Sequence, residues 1–149
     1  MKKLLAPLAF AGLAAAALLV PIDRAQADTP NLGVATPGVV LMPIQLSGQV
    51  GANVTGAATF QLPFKAKILG VTATARASGG TSPTLAIEVL DDGTTVLTAP
   101  IAVTAGTVSE GALAAPVVAD ESEISIDLDL GGTSPTWDDV SILITLVRL

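Results

Sequence analysis

Histidine, cysteine and tyrosine are absent from this chain of 149 residues. Lack of histidine removes the usual near-neutral base of nucleophilic catalysis and the commonest ligand of transition metals. Lack of cysteine removes disulfides and thiolate metal sites, so the fold must stand on its hydrophobic core alone. Aromatic residues are almost missing too: Phe10, Phe60, Phe64 and Trp137 are all there are. The core must therefore be built from Val, Ile, Leu and Ala. Cations are scarce as well. Beyond residue 27 the only ones are Lys65, Lys67, Arg76 and Arg148, and the formal net charge is −6. Such a surface repels nucleic acid and anionic lipid, so no nucleic-acid partner is expected.

What is present begins with a leader. Met1-Lys2-Lys3 is a basic start, and Leu4 to Val20 is uncharged and nearly all apolar. Ala25-Gln26-Ala27 then places small residues at the −3 and −1 positions of a cleavage site before Asp28. These are the parts of a secretory signal peptide. A retained signal-anchor is the alternative, because residues 4–22 approach the roughly 20 apolar residues that span a bilayer. We therefore expect a hydrophobic helix within residues 1–27, as signal peptide or membrane anchor, an extended linker over 28–37 with Pro30, Gly33 and Pro37, and one domain over 38–149.

That domain reads as strands. Val39 to Leu46 is extended, and Pro43 within it points to an edge or bulged strand. Residues 67–75 alternate, with Leu69, Val71, Ala73 and Ala75 on one face. Residues 84–90 put Leu85, Ile87 and Val89 on one face, and Asp91-Asp92-Gly93-Thr94 reads as a hairpin turn. Ile124, Ile126 and Leu128 alternate with Ser125, Asp127 and Asp129, so one side is dry and the other wet. Ile142, Ile144 and Leu146 close the chain in the same way. No stretch after residue 30 has helical period with caps. About eight short strands with Gly and Pro turns indicate an all-β, antiparallel two-sheet sandwich of jelly-roll type.

One hexapeptide occurs twice. Gly79-Gly80-Thr81-Ser82-Pro83-Thr84 returns as Gly131-Gly132-Thr133-Ser134-Pro135-Thr136. The plain reading is two similar turns. The sharper one is a duplicated half-sandwich.

Few residues could carry chemistry, and no catalytic residues are assigned. A Ser–Lys dyad would need Lys65 or Lys67, both beside a strand start. Paired carboxylates for glycoside hydrolysis could come from Glu88, Asp127, Asp129, Asp138 and Asp139, yet the aromatic platforms that bind sugar are wanting. Asp127, Asp129, Asp138 and Asp139 are also the best candidates for calcium, a hard cation that takes oxygen ligands. The preferred reading of the same residues is plainer: Asp127 and Asp129 on the wet face of a strand, Asp138 and Asp139 in a loop. No cofactor is expected. Trp137 is read as a plug packed over strand ends rather than an exposed stacking residue.

The order of short phrases carries a resemblance. Phe60-Gln61-Leu62-Pro63-Phe64-Lys65-Ala66 precedes a Val-Thr-Ala-Thr-Ala strand, then Gly79 to Val89, an Asp-Gly hairpin with Val96-Leu97, and Ile101 to Thr107. Ala119-Asp120-Glu121 leads into Ile124-Ser125-Ile126-Asp127-Leu128-Asp129, and Asp139-Val140-Ser141-Ile142-Leu143-Ile144-Thr145-Leu146 closes the unit. Residues 58–149 resemble a β-sandwich module of bacteriophage structural proteins, of tail-associated and head-decorating type. The resemblance implies a non-enzymatic virion part that contacts other capsid or virion proteins and forms a homo-oligomer. With a retained leader it could be held to a lipid bilayer through residues 4–22. The leader keeps a second class open, an exported bacterial surface or periplasmic binding or adhesion protein.

Overall fold

Alternation of Ile124, Ile126 and Leu128 with polar neighbours dictates an extended segment with one buried face. The computed structural model, which describes residues 38–149, places them in its longest strand. The expected leader helix and the linker over 28–37 lie outside the described residues. The strands are β1 (Val39–Val50), β2 (Val54–Gln61), β3 (Ala66–Thr74), β4 (Ala77–Asp91), β5 (Thr94–Thr95), β6 (Ile101–Ala102), β7 (Ser109–Gly111), β8 (Val117–Val118) and β9 (Glu123–Arg148). Every pairing among them is antiparallel, and no helix occurs among the described residues.

β9 organises the rest. Its second half, from Trp137 onward, lies between β1 and β3, and β3 continues the array to β7 and β8. Its first half lies between β2 and β4, and β4 continues to β5 and β6. The spatial orders are therefore β1–β9–β3–β7/β8 and β2–β9–β4–β5/β6. Buried residues of both arrays fall in one apolar cluster that includes Ile68, Val71, Ile87, Val89, Ile126, Ile144 and Leu146.

The two copies of the hexapeptide are not separate turns, as the plain reading has it. Each lies inside a strand, and they pair with each other. Gly79 is opposite Thr136, Thr84 is opposite Gly131, and Thr81 is opposite Thr133. A shift of 52 residues turns each pair into its partner, so a local two-fold axis passes between Thr81 and Thr133. Backbone angles obey it: φ is +98° at Gly80 and +106° at Gly132, and 50° at Ser82 and 48° at Ser134. The same axis exchanges β1 with β5/β6, β2 with β7, β3 with the first half of β9, and β4 with its second half, and it maps the Ala66–Val118 pair onto itself. This is the arrangement that a duplicated half-domain would have.

Of the core residues nominated above, Val71, Leu85, Ile87, Val89, Ile124, Ile126, Leu128, Ile142, Ile144 and Leu146 are all buried. Leu69 is not: it is 49% exposed. The register jumps between Ile68, opposite Leu146, and Gly70, opposite Thr145, so Leu69 is the extra residue of a β-bulge. The bulge hands the inward position to Ile68, which is 1% exposed. Pro43 sits in an edge strand, as expected, because β1 pairs with β9 alone. Arg148 N donates to Gly38 O, which sets the alternation along β1. Val40, Met42 and Ile44 exchange bonds with β9 and the odd-numbered residues face away, so Pro43 lacks an N–H only where no ladder bond is made. The Asp91–Thr94 hairpin forms, with φ of 47° at Asp92 and 78° at Gly93 supplying the two positive angles of a tight turn.

The outward faces differ. Across β1, β9 and β3 the outward rows are Val39–Val147–Lys67, Leu41–Thr145–Gly70 and Pro43–Leu143–Thr72. Across β9 and β4 they are Asp127–Glu88, Asp129–Ala86 and Ser125–Leu90. The first face carries charges of both signs, Lys67 and, opposite Thr72 in β7, Glu110, and the other is acidic.

Candidate functional site

The four acids nominated for calcium lie along β9, two on each side of its hexapeptide. Asp138 and Asp139 stand in the strand itself rather than in a loop. Each of the four accepts a hydrogen bond from the segment at and after the end of β1. Gly48 N donates to Asp139 Oδ1 at 2.8 Å and Gln49 Nε2 to Asp138 Oδ1 at 3.3 Å. Asn53 Nδ2 donates to Asp129 Oδ1 at 2.7 Å, and Gly56 N to Asp127 Oδ1 at 2.7 Å. Asn53 also accepts from Leu130 N at 2.8 Å. The connection from β1 to β2 crosses from one array to the other with few backbone partners of its own. The carboxylates fasten it at both ends, through the backbone N–H groups of Gly48 and Gly56 beside the register breaks of β1 and β2 and through the side-chain amides of Gln49 and Asn53.

Arg76 joins this set. Its Nε donates to Asp139 Oδ2 at 2.6 Å, and its guanidinium lies 3.6 Å from Asp138. The Gly48 N–H, and after it Arg76, hold the Asp139 carboxyl below the ordinary carboxylate range. A depressed pKa means that the bond contributes fully above the ordinary value of about 3.9 and is lost as pH falls through the lower folded value. Protection of the Gly48 amide against hydrogen exchange should therefore hold through neutral pH. Asp139→Asn should weaken that protection selectively, with little change at core amides such as Ile126. Equal loss at both positions would show global rather than local loosening.

Glu88 stands directly opposite Asp127 across β4 and β9. Like charges in that position repel. With Asn53, Thr55 and Asp129 they border a groove of about 210 Å³. Among the described residues no three acidic side chains converge as a chelated cation would require. Lys65 and Lys67 are both exposed. Trp137 is 2% exposed, packed beside the hexapeptide crossing where Ser78 and Val50 flank it. Its face is closed to a stacking ligand. The partners Gln49, Asn53 and Arg76 were not legible in the sequence, because each lies 60 residues or more from its acid.

No family model matches the chain, and no curated protein matches it. Among solved structures, chains of infectious bursal disease virus resemble it. A mutant VP2 protein from derived T=1 particles is 19% identical, with a TM-score of 0.44, over 74% of this chain and 32% of that one. The Gt strain structure gives 17% identity and a TM-score of 0.41 over 74% and 33%. A T13 viral particle gives 15% and 0.36 over 75% and 36%. This chain spans about a third of the length of those it resembles.

Proposed function

We propose that this chain is a non-enzymatic structural protein of a virus particle, that the particle is a bacteriophage, and that the domain is a two-sheet jelly roll. The strand orders β1–β9–β3–β7/β8 and β2–β9–β4–β5/β6 support the jelly-roll reading. Folds of that kind serve capsids, lectins and cupins. Cupin chemistry is built on metal-binding histidines, and this chain has none. A lectin needs an accessible aromatic face or a free acidic cluster. Here Trp137 is buried, and all four nominated acids are engaged with residues 48–56. That engagement is the observation that carries the proposal: side chains that could have served a ligand instead serve the scaffold. The phage assignment is supported by the ordered phrases from Phe60 to Leu146 and by no catalytic signature.

Two measurements bear on this reading. Deleting the gene should abolish or destabilise particles while nucleic-acid replication continues, and unchanged particle yield would contradict it. Millimolar calcium should leave the melting temperature unchanged, because among the described residues no three acidic side chains converge on one point. A marked rise would return the lectin reading.

A second reading, an exported bacterial surface or periplasmic protein, is favoured by one observation, the leader with Ala25-Gln26-Ala27. Intact mass of the natural protein separates the two. A chain that starts at Asp28 favours export. A chain that keeps Met1, and that detergent strips from particles, favours a virion protein anchored through residues 4–22.

A further inference from the structure

The outer face of the β1–β9–β3 array has a property that its counterpart lacks. Four of the large apolar side chains exposed on the domain lie on it: Leu41 at 58%, Leu69 at 49%, Val108 at 71% and Val117 at 51%. Between them run the rows of Pro43, Leu143 and Thr72 and of Leu41, Thr145 and Gly70. Within β1, β9 and β3 those central rows carry no charge, and Glu110, paired with Thr72, stands at their β7 end. An antiparallel sheet that is apolar on both faces is normally covered on both.

We propose that this face is the contact surface for a second copy of the chain, in an isologous two-fold pair. The inference rests on the assembly role above and assigns a surface to it. Charge selects the occupant. The chain is strongly acidic, and its other outer face presents Glu88, Asp127 and Asp129. Two copies that approach by that face repel each other, whereas the β1–β9–β3 face carries the cation Lys67 as well as the anion Glu110, so a two-fold contact there can set opposite charges against each other. Shape agrees with charge. A groove of about 250 Å³ opens on this same face among Pro43, Thr72, Thr74 and Leu143, with Val108 on its border. Protruding side chain and recess on one surface are what an isologous contact requires, since each copy supplies both parts.

The β-bulge at Leu69 fits the same purpose. It turns a leucine outward that a regular strand would have buried, at the cost of ladder regularity. Pro43 then prevents the neighbouring β1 edge from pairing freely with stray strands. The surface is thus open to face contact and guarded against edge pairing.

Sedimentation of the full chain over a concentration series tests this. The wild-type chain should form a dimer or a larger two-fold assembly. Leu41→Asp and Val108→Asp should each weaken it about 100-fold, as loss of a central apolar anchor does. Both positions are exposed, so the fold should survive, as Trp137 emission would report. Ala102→Asp, exposed on the other array, should leave association unchanged. An assembly that neither face variant weakens would overturn this surface while leaving the structural role intact. A wild-type chain that stays monomeric at about 100 μM would overturn it too. Failure of the structural role itself would show separately, as absence of the chain from particles.

Discussion

Replacing Gly80 or Gly132 with alanine is expected to cost at least about 3 kcal/mol and to leave little folded protein at physiological temperature. Both residues have φ near +100°, which side chains rarely adopt. A Cβ on Gly80 would also run into the carbonyl oxygens of Ser134 and Thr133, and one on Gly132 into those of Ser82 and Thr81. Backbone cannot swing aside as a side chain can, so the crossing of β4 and β9 would have to open. Gly93 supplies the comparison. Its φ is +78°, yet nothing stands near its Cβ direction, so Gly93→Ala should cost only about 1 kcal/mol. Because the two glycines lie in one crossing of β4 and β9, which either variant must open, the double variant should cost less than the sum of the single ones. Urea titration followed by the fluorescence of Trp137, the lone tryptophan in a chain without tyrosine, reads all four variants.

Ile126→Ala should lose about 2–5 kcal/mol. Ile126 is fully buried, and it lies between Ala58 on one side and Val89 on the other, so neither array could close the cavity without moving. Its neighbour Asp127 turns to the opposite face. Asp127→Ala removes one hydrogen bond from Gly56 and relieves repulsion with Glu88, so a change within about 1 kcal/mol is expected. Reversed sizes would mean that the faces of β9 are assigned the wrong way round.

The faces were legible because a strand repeats every two residues and a half-buried sheet writes that period into hydrophobicity. Ile124 to Leu128 and Ile142 to Leu146 show it plainly. Local pattern failed where geometry breaks the period. At Leu69 an inserted residue reversed the alternation; Gly70 beside it is the residue type that often marks a bulge, but Ile68 and Leu69 are equally apolar, so hydrophobicity does not say which of them turns outward. The repeated hexapeptide was visible as a repeat. That its copies pair face to face was not, because register between residues 52 apart is set by the whole fold. For the same reason Asp138 and Asp139 read as loop residues: Gly131, Gly132 and Pro135 look like turn chemistry, although here they bend a continuous strand. The acids along β9 were found by residue type, but their task was not. Their partners lie on a distant connection whose only local mark is its richness in glycine.

The structural role is tested most directly by quantitative mass spectrometry of purified particles. The account predicts this chain at a fixed ratio to the main shell protein, retained through a high-salt wash because its contact surface is apolar rather than ionic. A chain absent from particles and recovered instead from the periplasm or surface of uninfected cells would contradict it.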